Sequence, residues 1–404
     1  VKAGIFLLGR FFPVLAGTEL WFYAVSSMGL ATLLLGAYFA LFQHDLKGLL
    51  AYSTISHLGL ITLLFGLGTP LGEIAAIFHI LNHAVFKASL FMAAGIIDHE
   101  TGSRDMRKLN GLFKYMPYTA LLAMVAAAAM AGVPLLNGFL SKEMFFGETL
   151  GLRWLSEADW HWLFPWAATL AGVFAVAYSL RFIHDVFFNG EPRDLPRTPH
   201  EPPRWMKVPV EILVVLCVVV GILPNLTVRP LLEAASAAVL QQPLPDFSLS
   251  LWHGFTRPLL MSLVALGGGV LLYVARQWMF AAHDRLPLHL SGKRHAERLL
   301  ERLFKLCRWL DAAVENRSLG RYSFLLVLSA LAAGAVGLWG QPLAGSAAPT
   351  PPGAGTLVSG LLLGAGALAT AVAEFFVDCN NFSLSHFPSP CAKPVLRRDS
   401  SLMN

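Results

Sequence analysis

Charge is what this sequence has least of. Only 14% of its 404 residues are Asp, Glu, Lys or Arg, against 55% hydrophobic, where a soluble domain carries about 25% charged residues. So few charges exclude an ordinary water-exposed globule, and so much apolar side chain excludes a disordered chain. Cysteine is scarce as well. Cys217, Cys307, Cys379 and Cys391 include no CxxC pair and no regular spacing, which excludes a zinc cage and a disulfide framework. Nucleotide, flavin and cluster motifs are missing, so no cofactor is expected. The basic excess is small, 30 Lys and Arg against 25 Asp and Glu for a net charge of +5. Nucleic acid and cytoplasmic membrane loops would both account for it, and the placement of the charges decides between them.

Long apolar runs fill the space that charge leaves. A helix crossing the ~30 Å hydrocarbon core needs roughly 20 apolar residues. About ten such stretches can be placed, at 1–16, 22–42, 48–68, 74–97, 119–146, 162–183, 208–226, 258–276, 323–340 and 356–376. The chain reads as an all-α polytopic membrane protein. Its first span opens at Val1 without Met, charged leader or signal-peptide pattern, as if a helix were entered midway, so an N-terminally truncated fragment is expected. After the last span a polar Ser-, Pro- and Cys-containing tail, 377–404, reads as unstructured. Loop charge then tests the span assignment. One alternating set of loops, with Lys47, Arg104, Arg107, Lys108, Lys114, Arg193, Arg197, Arg204, Lys207, the 277–322 segment and the tail, holds 21 Lys and Arg; the other holds three, Arg153, Arg229 and Arg257. The first set is therefore cytoplasmic. That accounts for the basic excess without nucleic acid.

The segment 293–317 reads as an amphipathic helix. Leu299, Leu300, Leu303, Phe304, Cys307 and Leu310 recur at helical spacing, and Arg298, Arg302, Lys305 and Arg308 surround the other face. Packing in the interface plane is preferred here over a calmodulin-type signalling role.

Charges inside spans cost roughly 2.5 to 3.5 kcal/mol each at mid-helix, so those that persist face protein or water and commonly serve transport. The stretch IFHILNHAVFKASLFM puts His79, His83 and Lys87 at i, i+4 and i+8. Successive members are about 400° apart and ~6 Å up the axis, so all three share one face. His and desolvated Lys can both pass protons under working conditions. A gap of ~6 Å suits one bridging water, which Asn82 and Ser89 could help to hold. Interhelical hydrogen bonding is the bland reading of a single His; three groups on one stripe favour transport. Two His at i and i+4 can also share zinc, but no HExxH glutamate or third ligand stands nearby, so no metal is expected.

The run LLAMVAAAAMAGVPLLNGFLSKEMFF carries a second set. Gly132, Pro134, Asn137 and Gly138 fall at mid-membrane depth and should break the helix there. Broken helices with exposed half-ends are how many transporters build ion sites. Lys142 is expected in the first turn after the break, against the positive dipole end of the second half. Glu143 beside it is either its counter-ion or turned away, and a proline kink with a snorkelling Lys is the bland alternative. Lys2 is a further intramembrane cation. His57 continues the candidate wire, whereas ordinary boundary charge and helix packing account for His44, Asp45, Lys47, Tyr52, Ser53, Thr54 and Ser56.

HDLKGLLAYSTISHLGLI, IFHILNHAVFKASLFMAAG and GVPLLNGFLSKEMFF together resemble the antiporter-like subunits shared by respiratory complex I and the Mrp-type multisubunit Na⁺/H⁺ antiporters, and IIDHETGSRDMRKLNGL is closest to the A-type members of the Mrp set. The resemblance covers residues 1 to roughly 370. It implies two inverted five-helix repeats, each with a broken helix, and a Lys, His and Glu proton route along the membrane midplane. By it, 1–16 is the remnant of the last helix of the first repeat and 17–190 is the second antiporter-like repeat. Additional transmembrane helices follow over 191–292, then the amphipathic lateral helix 293–317, C-terminal transmembrane helices 318–376 and the tail. Lys87 with His79 and His83, Lys142 on the broken helix and Lys2 match the family's relay positions. The family's first repeat, with its glutamate and lysine pair, would precede Val1. The implied function is that of a plasma-membrane subunit exchanging a monovalent cation, Na⁺ foremost, for protons with other membrane subunits as partners: a secondary transporter and not an enzyme. A proton-pumping subunit of NADH:quinone oxidoreductase and a non-conducting remnant are the alternatives.

Overall fold

A computed structural model describes residues 2–151, 162–252, 254–285, 292–314 and 319–338 of the protein. The described residues are helical, and their only β-type pairing is an isolated bridge between Asp45 and Asp105. The chain divides into two compact units, Val1–Leu286 and Pro287–Asn404. The first holds α1 (Ala3–Leu15), α2 (Glu19–Phe42), α3 (Leu46–Gly66), α4 (Pro70–Thr101), α5 (Pro117–Ala131) and α6 (Asn137–Leu150). It continues with α7 (Leu163–Phe187), α8 (Arg204–Ile222), α9 (Pro224–Thr227), α10 (Arg229–Leu240), α11 (Arg257–Val274) and α12 (Arg276–Arg285). The second holds α13 (Gly292–Val314), whose Leu299, Leu300, Leu303, Phe304 and Leu310 are exposed along one side, and α14 (Leu319–Leu338).

Among the described residues six helices, α2, α3, α4, α7, α8 and α11, are long and apolar enough to cross a membrane; α1 and α5 are shorter apolar helices. Of the ten stretches expected, 119–146 resolves into two helices, α5 and α6, and 356–376 lies outside the described residues, as do the tail 377–404 and residues 315–317 of the amphipathic segment. Side chains such as Leu35, Leu121, Val215 and Leu271 stand exposed on the helix surfaces, as a lipid-facing surface requires.

The basic loops gather at one end of the first unit. Leu46 N donates to Arg104 O (2.8 Å), Met106 N to His44 O (2.9 Å), Arg193 N to Lys108 O (3.0 Å) and Arg197 N to Thr101 O (3.2 Å). Lys47 pairs with Asp98 at 2.6 Å, and Lys114 pairs with Glu191. This end is the cytoplasmic one by the positive-inside rule. Here Arg107 chelates Asp105 and holds its carboxyl down at about 2. A carboxyl held below its ordinary value contributes stability above that ordinary value and loses it as pH falls through the lowered one. Cleavage of the 102–116 loop by an acid-tolerant protease is therefore expected to stay constant from neutral pH to about pH 4 and to rise as pH approaches 2. Asp105→Asn should be nicked across the whole range.

The break between α5 and α6 positions the interior. Gly132 (φ 87°) caps α5 in the left-handed conformation, Pro134 sits in the turn, and α6 begins at Asn137. Asn137 and Gly138 thus belong to the first turn of α6 and not to the break. Gly138 lies so close to α5 that a Cβ there would meet the Ala129 carbonyl. Gly138→Ala should force the half-helices apart at a cost of about 1 to 3 kcal/mol. It is expected to lower the melting temperature of the purified complex, whereas Gly95→Ala, with open space around it, should leave it unchanged.

Candidate functional site

The four C-terminal carbonyls of a helix have no intrahelical partner, and burying them unpaired is costly. In α5 these belong to Ala128, Ala129, Met130 and Ala131. Gly132 N donates to Ala128 O (3.1 Å) and Ala129 O (3.2 Å), and Val133 N donates to Ala128 O (3.0 Å). The remaining two receive Lys142 Nζ, at 2.8 Å from Met130 O and 2.9 Å from Ala131 O. The sequence places Lys142 in the first turn of the second half-helix, facing a positive dipole end. In the structure it sits instead in the second turn of α6 and reaches back to the negative end of α5, where a cation is welcome. Glu143 turns elsewhere and lines a separate cavity with Ser248, Ser250 and Thr256.

His79, His83 and Lys87 share the interior face of α4, all at most 5% exposed. They are not joined along that helix. His79 Nε2 meets His57 Nδ1 of α3 at 3.0 Å, and His79 Nδ1 meets Ser141 Oγ of α6 at 2.9 Å. The other nitrogen of His57 meets Tyr178 OH of α7 at 3.3 Å. Neither ring nitrogen of His83 has a protein hydrogen-bond partner, although the ring lies 5.3 Å from His57 and 6.2 Å from His79, centroid to centroid. Lys87 Nζ donates to Leu50 O (3.2 Å) and to Ser53 Oγ, both on α3. Ser89 bonds carbonyls of its own helix, so it does not bridge the stripe, and Asn82 Nδ2 is unpaired. Lys2, half-buried, donates to Ile80 O at 3.0 Å.

The row Tyr178, His57, His79, Ser141 has a chemical property that its members lack separately. If Tyr178 donates to His57 Nε2, then His57 Nδ1–H donates to His79 Nε2, His79 Nδ1–H to Ser141 Oγ, and Ser141 to Gly138 O at 3.3 Å. Reversing the three donors between Ser141 and Tyr178 gives a second set with both imidazoles neutral, in which Ser141 donates to His79 Nδ1 in place of Gly138 O. Switching between the two polarities shifts a proton from one end to the other. Beside this row lies a cavity lined by Ser56, His57, Lys142 and Tyr178, with about 20 Å³ for water centres, room for about one water.

Several contributors are not evident from the sequence. Ser53 reads there as helix packing, yet it accepts from Lys87. Ser141 lies inside the string GVPLLNGFLSKEMFF without being singled out there, and Tyr178 carries no motif signal, since a hydroxyl in an apolar run is ordinary. Arg181, 3% exposed, bonds Leu41 O, His44 (3.1 Å) and Asp185 (3.3 Å) and lines a cytoplasmic cavity of about 340 Å³ with Arg107 and Arg276. Among the described residues no three His, Cys, Asp or Glu converge as a metal site.

Residues 1–171 match the family described as NADH:quinone oxidoreductase/Mrp antiporter, TM. A probable K⁺/H⁺ antiporter protein of Rhizobium meliloti (strain 1021), of the combined A/B type, is 60% identical over 83% of this chain, which covers 34% of that protein. The A-type subunit of an Na⁺/H⁺ antiporter of Bacillus subtilis (strain 168) is 38% identical over 76% of the chain and is covered to 41%. The solved Mrp complex from Dietzia sp. DQ12-45-1b superposes with a TM-score of 0.67 at 33% identity, over 91% of this chain and 40% of that one. The chain spans between a third and a half of the length of these relatives. With its buried His and Lys side chains and its membrane-spanning helices, this chain is a multi-pass protein of the cell membrane whose residues 1–171 carry the membrane domain described as NADH:quinone oxidoreductase/Mrp antiporter, TM.

Proposed function

We propose that the chain is the proton-conducting part of a large subunit of a monovalent cation/proton antiporter, assembled with other membrane subunits. The carrying observation is that His57, His79, Lys87 and Lys142 are all buried in the interior, with His57 bonded directly to His79, His79 to the Ser141 hydroxyl and Lys87 to the Ser53 hydroxyl. Side chains so costly to bury persist where ions or protons must pass. Lys87 and Lys142 are the relay cations, and His79 with His83 shuttles protons toward Lys87. Protons enter from outside as a cation leaves the cytoplasm. The cation is K⁺ in the name of the Rhizobium relative and Na⁺ in that of the Bacillus relative, so both belong in the assay.

Lys87 offers a clean test and Lys142 does not. Removing Lys87 leaves Leu50 O with donors from Ser53 (2.9 Å) and Thr54 (2.8 Å). Removing Lys142 strips two buried carbonyls of their donor, at ~1 to 3 kcal/mol each. In inverted vesicles from cells carrying the complete complex, Lys87→Ala should assemble normally and abolish the ΔpH response to added Na⁺ or K⁺. Lys142→Ala should reduce both exchange and the amount of assembled complex. Full exchange in a properly assembled Lys87→Ala complex would refute the relay role.

A further inference from the structure

Glu73 lies in the first turn of α4, at the end of the bundle away from the basic loops. It is fully buried, and neither carboxyl oxygen has a hydrogen-bond partner. Ser236 of α10 brings its hydroxyl toward this carboxyl without completing a hydrogen bond, and that hydroxyl is equally buried and unpaired. Charged groups on the surrounding helices are engaged elsewhere, and Glu143 of α6 lines the cavity with Ser248 and Ser250. On α10, Arg229 pairs with Glu233 at 2.7 Å; on α6, Glu148 accepts from Thr69 at 2.6 Å, and Lys142 is bound to α5. On α1, Lys2 donates to Ile80 O; on α3, His57 is bound to His79; on α8, Lys207 pairs with Glu201 at the cytoplasmic end.

An isolated carboxylate in such surroundings is far too costly to leave as an anion, and one neutral hydroxyl does not offset it. A proton does, since the neutral acid can donate to Ser236 Oγ. Position adds the second argument. Ile80 is seven residues, about two turns and ~10.5 Å, further along the same face of α4, and its carbonyl holds the Lys2 ammonium. Glu73 therefore stands between the external surface and the half-buried Lys2 ammonium held at that face.

We propose that Glu73, with Ser236, is a proton-loading site at the external end of α4, exchanging protons between the outside and the buried cations by way of Lys2. Loading forms one O–H bond on a Glu73 oxygen. Unloading breaks it as the proton passes inward through water, and no electrons are transferred. The inference rests on the antiport reading above.

The test uses the complete complex in inverted vesicles. Glu73→Gln keeps shape and neutrality but cannot release a proton, so exchange should fall roughly 10-fold or more. Infrared spectra of the wild-type complex should contain a protonated-carboxyl C=O band that Glu73→Gln lacks. Ser236→Ala should displace the pH profile of exchange. If Glu73→Gln does not assemble, the Ser236→Ala profile and the wild-type band decide, and an unmoved profile overturns the inference. Wild-type exchange in assembled Glu73→Gln overturns it too, as does a Glu73 carboxylate band that responds to Na⁺ or K⁺, the mark of a cation ligand. Wild-type vesicles silent to both cations would instead remove the antiport reading itself.

Discussion

Everything in the interior hangs on how a helix can stop in the middle of a membrane. No water is at hand to satisfy the interior end of α5, and both ends take a charged side chain from another segment. At its start, Glu201 accepts from Tyr118 N (2.7 Å) and Thr119 N (3.0 Å). At its finish, Lys142 donates to the last two carbonyls. An acid at the N-terminus and a base at the C-terminus match the helix dipole at both ends. The break is therefore a charged joint and not a defect, and it fixes an ammonium at the interior end of α5.

That joint also aims the rest of α6. With Gly138 against the end of α5, Ser141 faces α4 and meets His79, which meets His57, which meets Tyr178. Four helices thus contribute one row. A helix rises ~6 Å over four residues, too far for direct hydrogen bonds between His79, His83 and Lys87. The side-chain contacts of 2.9 to 3.3 Å that link His57, His79, Ser141 and Tyr178 all cross helix boundaries. A stripe on one helix supplies titratable groups; neighbouring helices supply continuity.

This is also why the sequence disclosed some of the site and not the rest. The spans, the basic loop asymmetry and the break at Gly132 and Pro134 are local patterns of hydropathy, charge and backbone chemistry, and they can be read along the chain. The grouping of His79, His83 and Lys87 follows from helical period alone. The direction of Lys142 does not, because it depends on which carbonyls α5 leaves open. Ser53, Ser141, Tyr178 and Glu73 have the same cause. Each acquires its meaning from a partner 34 to 163 residues away, and no single-chain periodicity marks such a pair.

The family match ends at residue 171, inside α7, yet Tyr178 lies beyond it on the same helix. One end of the row therefore lies beyond the residues that the family match covers. So is the Arg181–Asp185 pair, one turn further toward the cytoplasm at 3.3 Å, with the 340 Å³ cavity beside it. Along α7 the order is cavity, buried ion pair, then hydroxyl against the imidazole row. On the proposed reading, the cytoplasmic end of a proton path must be polar where water reaches it and narrow where the hydrogen-bonded row takes over, or protons and other cations would pass alike. The second half of α7 has that grading, with its charged pair outermost and a lone phenol at the point of contact.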